Sequence, residues 1–422
     1  MSGGQLLTAC HDALLRPMST AQIDQRLCEI AETIDQKDVL RLAQGFVRIP
    51  SIYKQEHRLA KHIASILDGW GLGAELVPVE GYGPCVVSRL GTGKRSRIVL
   101  NGHMDTVEVK EGWKHDPFGA KIEKGFMYGL GTLDMKSGLA ALMVAFRAVA
   151  ESGIKLECDV NFQAVTGEED NAAGTRTLIS RGEFRRAKAA IVGEGFGGLR
   201  AITNGRRGSN YFDIDVIGRS AHGALPHNGV NAVVDASKII CALGKMKMQK
   251  ARGVMADDFR PLQETQTVLK IEGGSNSLSV PERCYIKMTR FTVPGRKGSV
   301  RDELASAIDA LGLESSVILT YKDDPGNYYP PYQTYPDSPL VRTASKWIRH
   351  HTGEAPKLVC GVSEADDNKI AADTGVPVIC MGPGERGKMS RYHQPEEAIS
   401  VEQLGTVAKA YCTTVLDLAR MK

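Results

Sequence analysis

The feature that most constrains this chain is a change of hydrophobic rhythm part-way along it. Before about Gly205, short apolar runs of strand length alternate with segments whose apolar residues recur every three or four positions. Residues 74–79, 85–90, 97–101, 159–165 and 189–192 read as strands, and 19–28, 37–48, 57–70 and 138–149 as helices. In the last of these, Leu139, Leu142, Met143, Phe146 and Val149 define one apolar face. Such alternation points to an α/β core. After Gly205 the order becomes strand 211–217, helix 230–246, strands 267–272 and 285–291, helix 300–311 and strand 316–321. That β-α-β-β-α-β order is the ferredoxin-like split unit, which closes its own two-layer core and can be inserted into another domain. A proline- and tyrosine-rich return follows, and then helix 341–351 and strand 376–381. The expected organisation is α/β: a mixed-sheet α/β/α domain formed by 1–204, with 1–36 as an N-terminal extension, and by 323–422, with an α+β unit at 205–322 inserted between them.

A chain of 422 residues is long enough for two such cores. A net charge of +4, with its basic residues scattered, gives no reason to expect a nucleic-acid partner. The nine cysteines are odd in number and far apart, and they read as reduced thiols rather than a disulfide framework. The segment MSGGQLLTACHDALLRP lacks the pattern of a secretory signal, and no run approaches the ~20 apolar residues of a membrane span. The expectation is a cytoplasmic protein without a membrane partner.

Histidines and carboxylates cluster where predicted strands end. RIVL runs into Asn101-Gly102-His103-Met104-Asp105, VNFQAV into Thr166-Gly167-Glu168-Glu169-Asp170, and AAIV into Gly193-Glu194-Gly195. Open α/β sheets bind ligands beyond the carboxyl ends of their strands, so these clusters can share one cleft. Asp134 lies in the loop before the long helix, and His393 lies past the last strand. Imidazole with carboxylate suits zinc, manganese or cobalt, and two close cations need a shared anionic bridge, for which Asp134 is well placed. Asp105, two residues after His103, can accept the ring's other N–H. Of the neighbours Glu168 and Glu169, one can ligate while the other shuttles protons.

The stretches NGHMDTV, PFGAKIEKGFMYGLGTLDMKSG, TGEED, GRSAHGALPHNGVNAV, GGSNSLSVPERCYIKMTR and YHQPEEAI are similar to those of co-catalytic zinc hydrolases. That family includes glutamate carboxypeptidase, acetylornithine deacetylase, succinyl-diaminopimelate desuccinylase and aminoacylases. The resemblance implies two divalent metal ions, one held by His103, Asp134 and Glu194 and the other by Glu169, Asp134 and His393. It implies Glu168 as general base, acting on a water between the ions, and Asp105 as the residue behind the first histidine. It also implies that the inserted unit is a lid and dimerisation domain whose His222 reaches the partner's site in a homodimer. Asn276 and Arg290 are the implied holders of a substrate carboxylate, and Arg207, with Arg206, reads equally as an anion contact or a solvated hinge pair. Leu130, Ser137, Gly193-Glu194-Gly195 and Ser363-Glu364-Ala365-Asp366-Asp367 depart from the family's usual residues. The expected reaction is hydrolysis of an amide or peptide C–N bond in a small carboxylate-bearing substrate. The alternatives are release of ammonia from an amino-substituted aromatic carboxylate such as 5-nitroanthranilate, for which Tyr328, Tyr329, Tyr332 and Tyr335 offer aromatic surface, and a non-catalytic binding relative.

Overall fold

The computed structural model describes residues 19–195, 197–322, 328–384 and 391–421. The expected leaderless N-terminal segment and part of the proline-rich return therefore lie outside the described residues.

A nine-stranded mixed sheet organises the larger unit. At its centre Asp159–Val165, Arg97–His103 and Ala187–Val192 lie side by side and parallel. Parallel strands are covered on both faces, which explains their near-continuous apolar sequences. Alternate residues serve opposite sides: Ile98 and Leu100 join the largest core, and Val99 joins the core beneath the other face. The first core takes in helices Thr20–Glu32, Gln36–Val47, Ser137–Glu151 and Gln403–Ala419; the second takes in Ala173–Ser180 and Asp366–Thr374. Because the three central strands share a direction, their carboxyl ends open at one edge of the sheet. That is what gathers the site.

Several elements differ from the sequence reading. Helix Ser137–Glu151 is buried nearly all round, not on one face, because the C-terminal helix Gln403–Ala419 packs over its outer side. The strand Ala201–Arg206 keeps the chain in the large sheet, paired in parallel with Lys357–Gly361, up to the expected boundary. Its neighbour Gly208–Ile217 starts the second sheet.

That second sheet has the order Thr265–Gly273, Arg283–Thr292, Gly208–Ile217, Ser316–Lys322, and every pairing is antiparallel. Helices Ala232–Leu243 and Val300–Asp309 close a separate core on one face. This is the split β-α-β-β-α-β arrangement, with a short hairpin, Lys250–Met255 and Pro261–Gln263, added after the first helix.

Candidate metal centre

His103 is the last residue of its strand, and Glu168 and Glu169 open the short helix Glu168–Asn171 just beyond the adjacent strand. Glu194 follows the third strand by two residues. Asp134 arrives from Thr132–Lys136, directly before the long helix, with a cis peptide bond to Met135. His393 comes from the far end of the chain.

Asp134 stands between the two histidines. Its Oδ1 lies 3.0 Å from His103 Nε2 and its Oδ2 lies 3.2 Å from His393 Nε2. His393 Nε2 is also 3.1 Å from Glu169 Oε1. Two sets of donor atoms, one from His103, Glu168 and Glu169 and one from Asp134, Glu169 and His393, each lie within 4.8 Å of one another. His103 Nδ1 points to the backbone oxygen of Asp105 at 3.0 Å, which keeps that proton on Nδ1 and turns the Nε2 lone pair to the site.

The carboxylate of Asp105 has a different task from the one expected. Its Oδ1 is 3.8 Å from His103 Nδ1, while Oδ2 accepts the backbone N–H of Glu169 at 2.9 Å. It therefore fixes the start of the glutamate pair, and its own carbonyl orients the histidine.

The electrostatics are those of a cation cage. Burial works to raise the Asp134 carboxyl, but hydrogen bonds from His103 and His393 outweigh it and hold it well below the usual value. Hydrogen bonds to Asp134 and then Glu169 lift the His393 imidazole to about 10. Burial pulls His103 down, and Asp134 and Glu168 more than reverse that. Burial, reinforced by Glu169, Asp366 and Glu194 and opposed by His103, lifts the Glu168 carboxyl well above its ordinary range. Carboxylates this close need positive charge among them. Divalent cations fit the same oxygen and nitrogen donors.

Glu194 belongs to neither donor set. Its Oε2 is 3.7 Å from Nη2 of Arg206, whose Nε is 2.7 Å from Asp367 Oδ1. Burial pushes the Glu194 carboxyl up to about 8 against the pull of that arginine. Close backbone packing sets its position. A Cβ on Gly138 would come 1.9 Å from Gly193 O, and one on Gly195 would come 2.4 Å from Gly382 O. The Gly-Glu-Gly departure noted in the sequence is thus a packing requirement.

The residues expected to meet substrate are distributed otherwise. Arg290 is fully buried in the smaller unit, where it bonds Glu264 at 2.7 Å, Gln266 at 3.0 Å and Glu303 at 3.4 Å. Its guanidinium is committed to that core, which corrects the expectation of a carboxylate contact. Arg207 is corrected likewise: it donates to Val362 O, Gln263 O and Thr265 Oγ1 and lies over Phe291, tying the two units together. Asn276 is exposed in the turn after Thr265–Gly273. His222 is exposed, with Nδ1 accepting from Ala224 N at 3.1 Å, and its own chain does not bring it to the cage.

Sequence reasoning missed Glu397. This buried carboxylate accepts N–H groups from Leu133 at 2.7 Å, Gly131 at 3.1 Å and Asp134 at 3.1 Å, and so sets the loop that presents Asp134. Its only visible sign was a second glutamate directly after Glu396 in the YHQPEEAI stretch.

Parallel-sheet topology, strand-end donors and an aspartate between two histidines define an α/β protein with a candidate metal centre. Residues 99–417 match the model of peptidase family M20/M25/M40, and the chain belongs to that family. It is 26% identical over 430 residues to an N-formyl-4-amino-5-aminomethyl-2-methylpyrimidine deformylase of Bacillus subtilis, covering 95% of this chain and 99% of that protein. It is 30% identical to a succinyl-diaminopimelate desuccinylase of Methylobacterium radiotolerans over 88% of this chain and 94% of that one. The fold matches the aminopeptidase PepT of Bacillus cereus with a TM-score of 0.74 at 21% identity, covering 92% of this chain and 99% of that one.

Proposed function

We propose that the chain hydrolyses an amide-type C–N bond of a small molecule, with Glu168 as general base and two divalent cations, zinc, manganese or cobalt, as cofactors. His103, Asp134, Glu169, Glu194 and His393 would hold them. The observation that carries this reading is Asp134, with one histidine nitrogen beside each of its carboxylate oxygens. Bound there, the ions supply Lewis acidity and bring the pKa of a water to about 7. Asp105 keeps Glu169 in place and Glu397 keeps Asp134 in place. Glu168 accepts a proton from water on its carboxylate and returns it to the leaving nitrogen. The unit at 205–322 acts as lid and dimer face, and His222 of a second copy polarises the scissile carbonyl. The relatives named deformylase and desuccinylase support amide cleavage. Release of ammonia from an aromatic amine keeps one supporting observation, the buried phenol of Tyr329 close to Glu168.

The test is Glu168→Gln. Metal analysis is expected to return the wild-type ion content, while turnover falls by at least ~10²-fold in a panel of N-formyl amines, N-acyl amino acids, dipeptides and 5-nitroanthranilate scored for amine and ammonia. A variant that keeps full turnover removes Glu168 from the reaction.

A further inference from the structure

Next to the cage, three carboxylate oxygens are sealed from water with no hydrogen-bond donor. They are both oxygens of Asp366 and Oε2 of Glu364. Glu364 Oε1 accepts from the Tyr211 hydroxyl at 3.0 Å. The Thr175 hydroxyl is close enough to act on the Asp366 carboxyl as a donor, outside full hydrogen-bonding geometry. Buried polar groups in native proteins are nearly always satisfied, so orphaned acceptors of this kind call for an explanation.

Asp366 opens helix Asp366–Thr374, and an acid in a first turn often serves the helix itself. An acid in that role accepts from the helix's free N–H groups. Neither oxygen of Asp366 does so. The nearby cations are engaged elsewhere: Arg206 with Asp367, Arg207 with backbone carbonyls, and Lys369 with Tyr328 O and the Tyr329 ring.

Tyr329 gives an independent indication. It reaches the site from the proline-rich return, is 4% exposed, and its ring carries the Lys369 ammonium 4.1 Å from its centroid. Apart from burial, the charges acting on that phenol are Glu168, Glu364, Asp366 and Arg176. Asp366 in turn acts on Glu168 and on it acts His103. Glu168, the two acids with unused acceptors and the Tyr329 phenol are therefore close enough to act on one another.

We propose that Glu364, Asp366 and Tyr329 are the recognition end of the site and take a substrate group rich in N–H donors, an ammonium or a planar amidine-type nitrogen pair, while the scissile C–N bond lies toward Glu168. The proposal rests on the hydrolase reading above and gives it a substrate class. It replaces the expected carboxylate clamp, whose Arg207 and Arg290 are bound within the fold. Arg176, half-buried on helix Ala173–Ser180, is the cation whose charge acts on Tyr329.

The experiment is calorimetric titration of the metal-loaded full chain with benzamidine, and with benzoate as the anion of the same shape. Benzamidine is expected to bind the wild type, and Asp366→Asn and Glu364→Gln are each expected to weaken it at least tenfold, with Tyr329→Phe weakening it less. Benzoate, which is drawn to the cations, is expected to bind wild type and variants alike. No benzamidine binding to the wild type, benzamidine affinity unchanged in both acid variants, or benzoate binding that falls in parallel each overturns the proposal. Glu364 is only half-buried, so its variant keeps the test decisive if Asp366→Asn unfolds. Metal content measured on the same samples separates the two readings. Acid-dependent benzamidine binding in a chain with less than one divalent ion sinks the metal reading alone, whereas a fully loaded chain indifferent to benzamidine sinks this one alone.

Discussion

Glu397→Gln tests whether the placement of Asp134 depends on a carboxylate more than 260 residues away. Glu397 Oε1 takes two backbone N–H groups, from Leu133 and Asp134, and Oε2 takes one, from Gly131. The amide keeps a single acceptor oxygen. In the better of its two orientations it still serves Leu133 and Asp134, and then its NH₂ faces the Gly131 N–H donor to donor. Burial pushes the Glu397 carboxyl up to about 8 against these N–H groups, so the comparison is made above that pH, where each hydrogen bond to the carboxylate contributes about 1.5–3 kcal/mol and the two that remain lose their charge assistance. The expected loss is roughly 2–4 kcal/mol, divided between fold stability and placement of Asp134. Supporting residues behind a metal ligand typically change affinity by about 10- to 100-fold, which agrees with that range. Zinc affinity measured by competition with a chromophoric chelator, together with thermal melts with and without zinc, reads both parts. Affinity within threefold of wild type and an unchanged melt would show that the Asp134 loop holds its shape by itself, and the reasoning would fail.

Other consequences are as direct. Gly138→Ala places a methyl 1.9 Å from Gly193 O, so the segment carrying Glu194 must shift; an overpacking cost of about 1–3 kcal/mol and a fall in ions per chain are expected, and full occupancy with a wild-type melt would contradict this. Arg290→Met leaves buried Glu264 with Arg296, at 2.8 Å, and the Gln249 N–H, at 3.1 Å, as its remaining partners. A loss of about 3 kcal/mol in urea unfolding is expected, with metal content unchanged, and a neutral result would reopen the question of a surface or substrate role. For His351, burial and then His350 hold the imidazole down to about 4 from 6.5. The fold favours its neutral form, so this contribution to stability is complete above about 6.5 and is lost as the pH falls toward 4. The stability difference between pH 7 and pH 5 is expected to shrink in His351→Gln, and an unchanged difference would rule this group out as its source.

Legibility in the sequence followed the range of the interactions involved. Strand and helix positions, including the split unit after Gly205, could be read because side-chain periodicity is set by neighbours a few residues apart. The rule that ligands gather beyond the carboxyl ends of parallel strands then directs His103, Glu168, Glu169 and Glu194 toward one cleft. Donor chemistry makes Asp134 the expected bridge, and its two oxygens lie beside two histidines. The burial of Ser137–Glu151 on all sides was hidden, because its outer cover is the C-terminal helix.

The sequence by itself determined which elements form and which side chains could bind a cation, since both follow from local pattern and the chemistry of each residue. Tertiary structure alone decided how the charges are shared. It gave Arg290 to Glu264, Arg207 to backbone carbonyls, Arg206 to Asp367 beside Glu194, and three backbone N–H groups to Glu397, and it set the Thr175 hydroxyl beside Asp366. A buried charge must find its partner within a few ångströms, and which groups meet at that distance depends on how segments far apart in the chain pack, which no local pattern records.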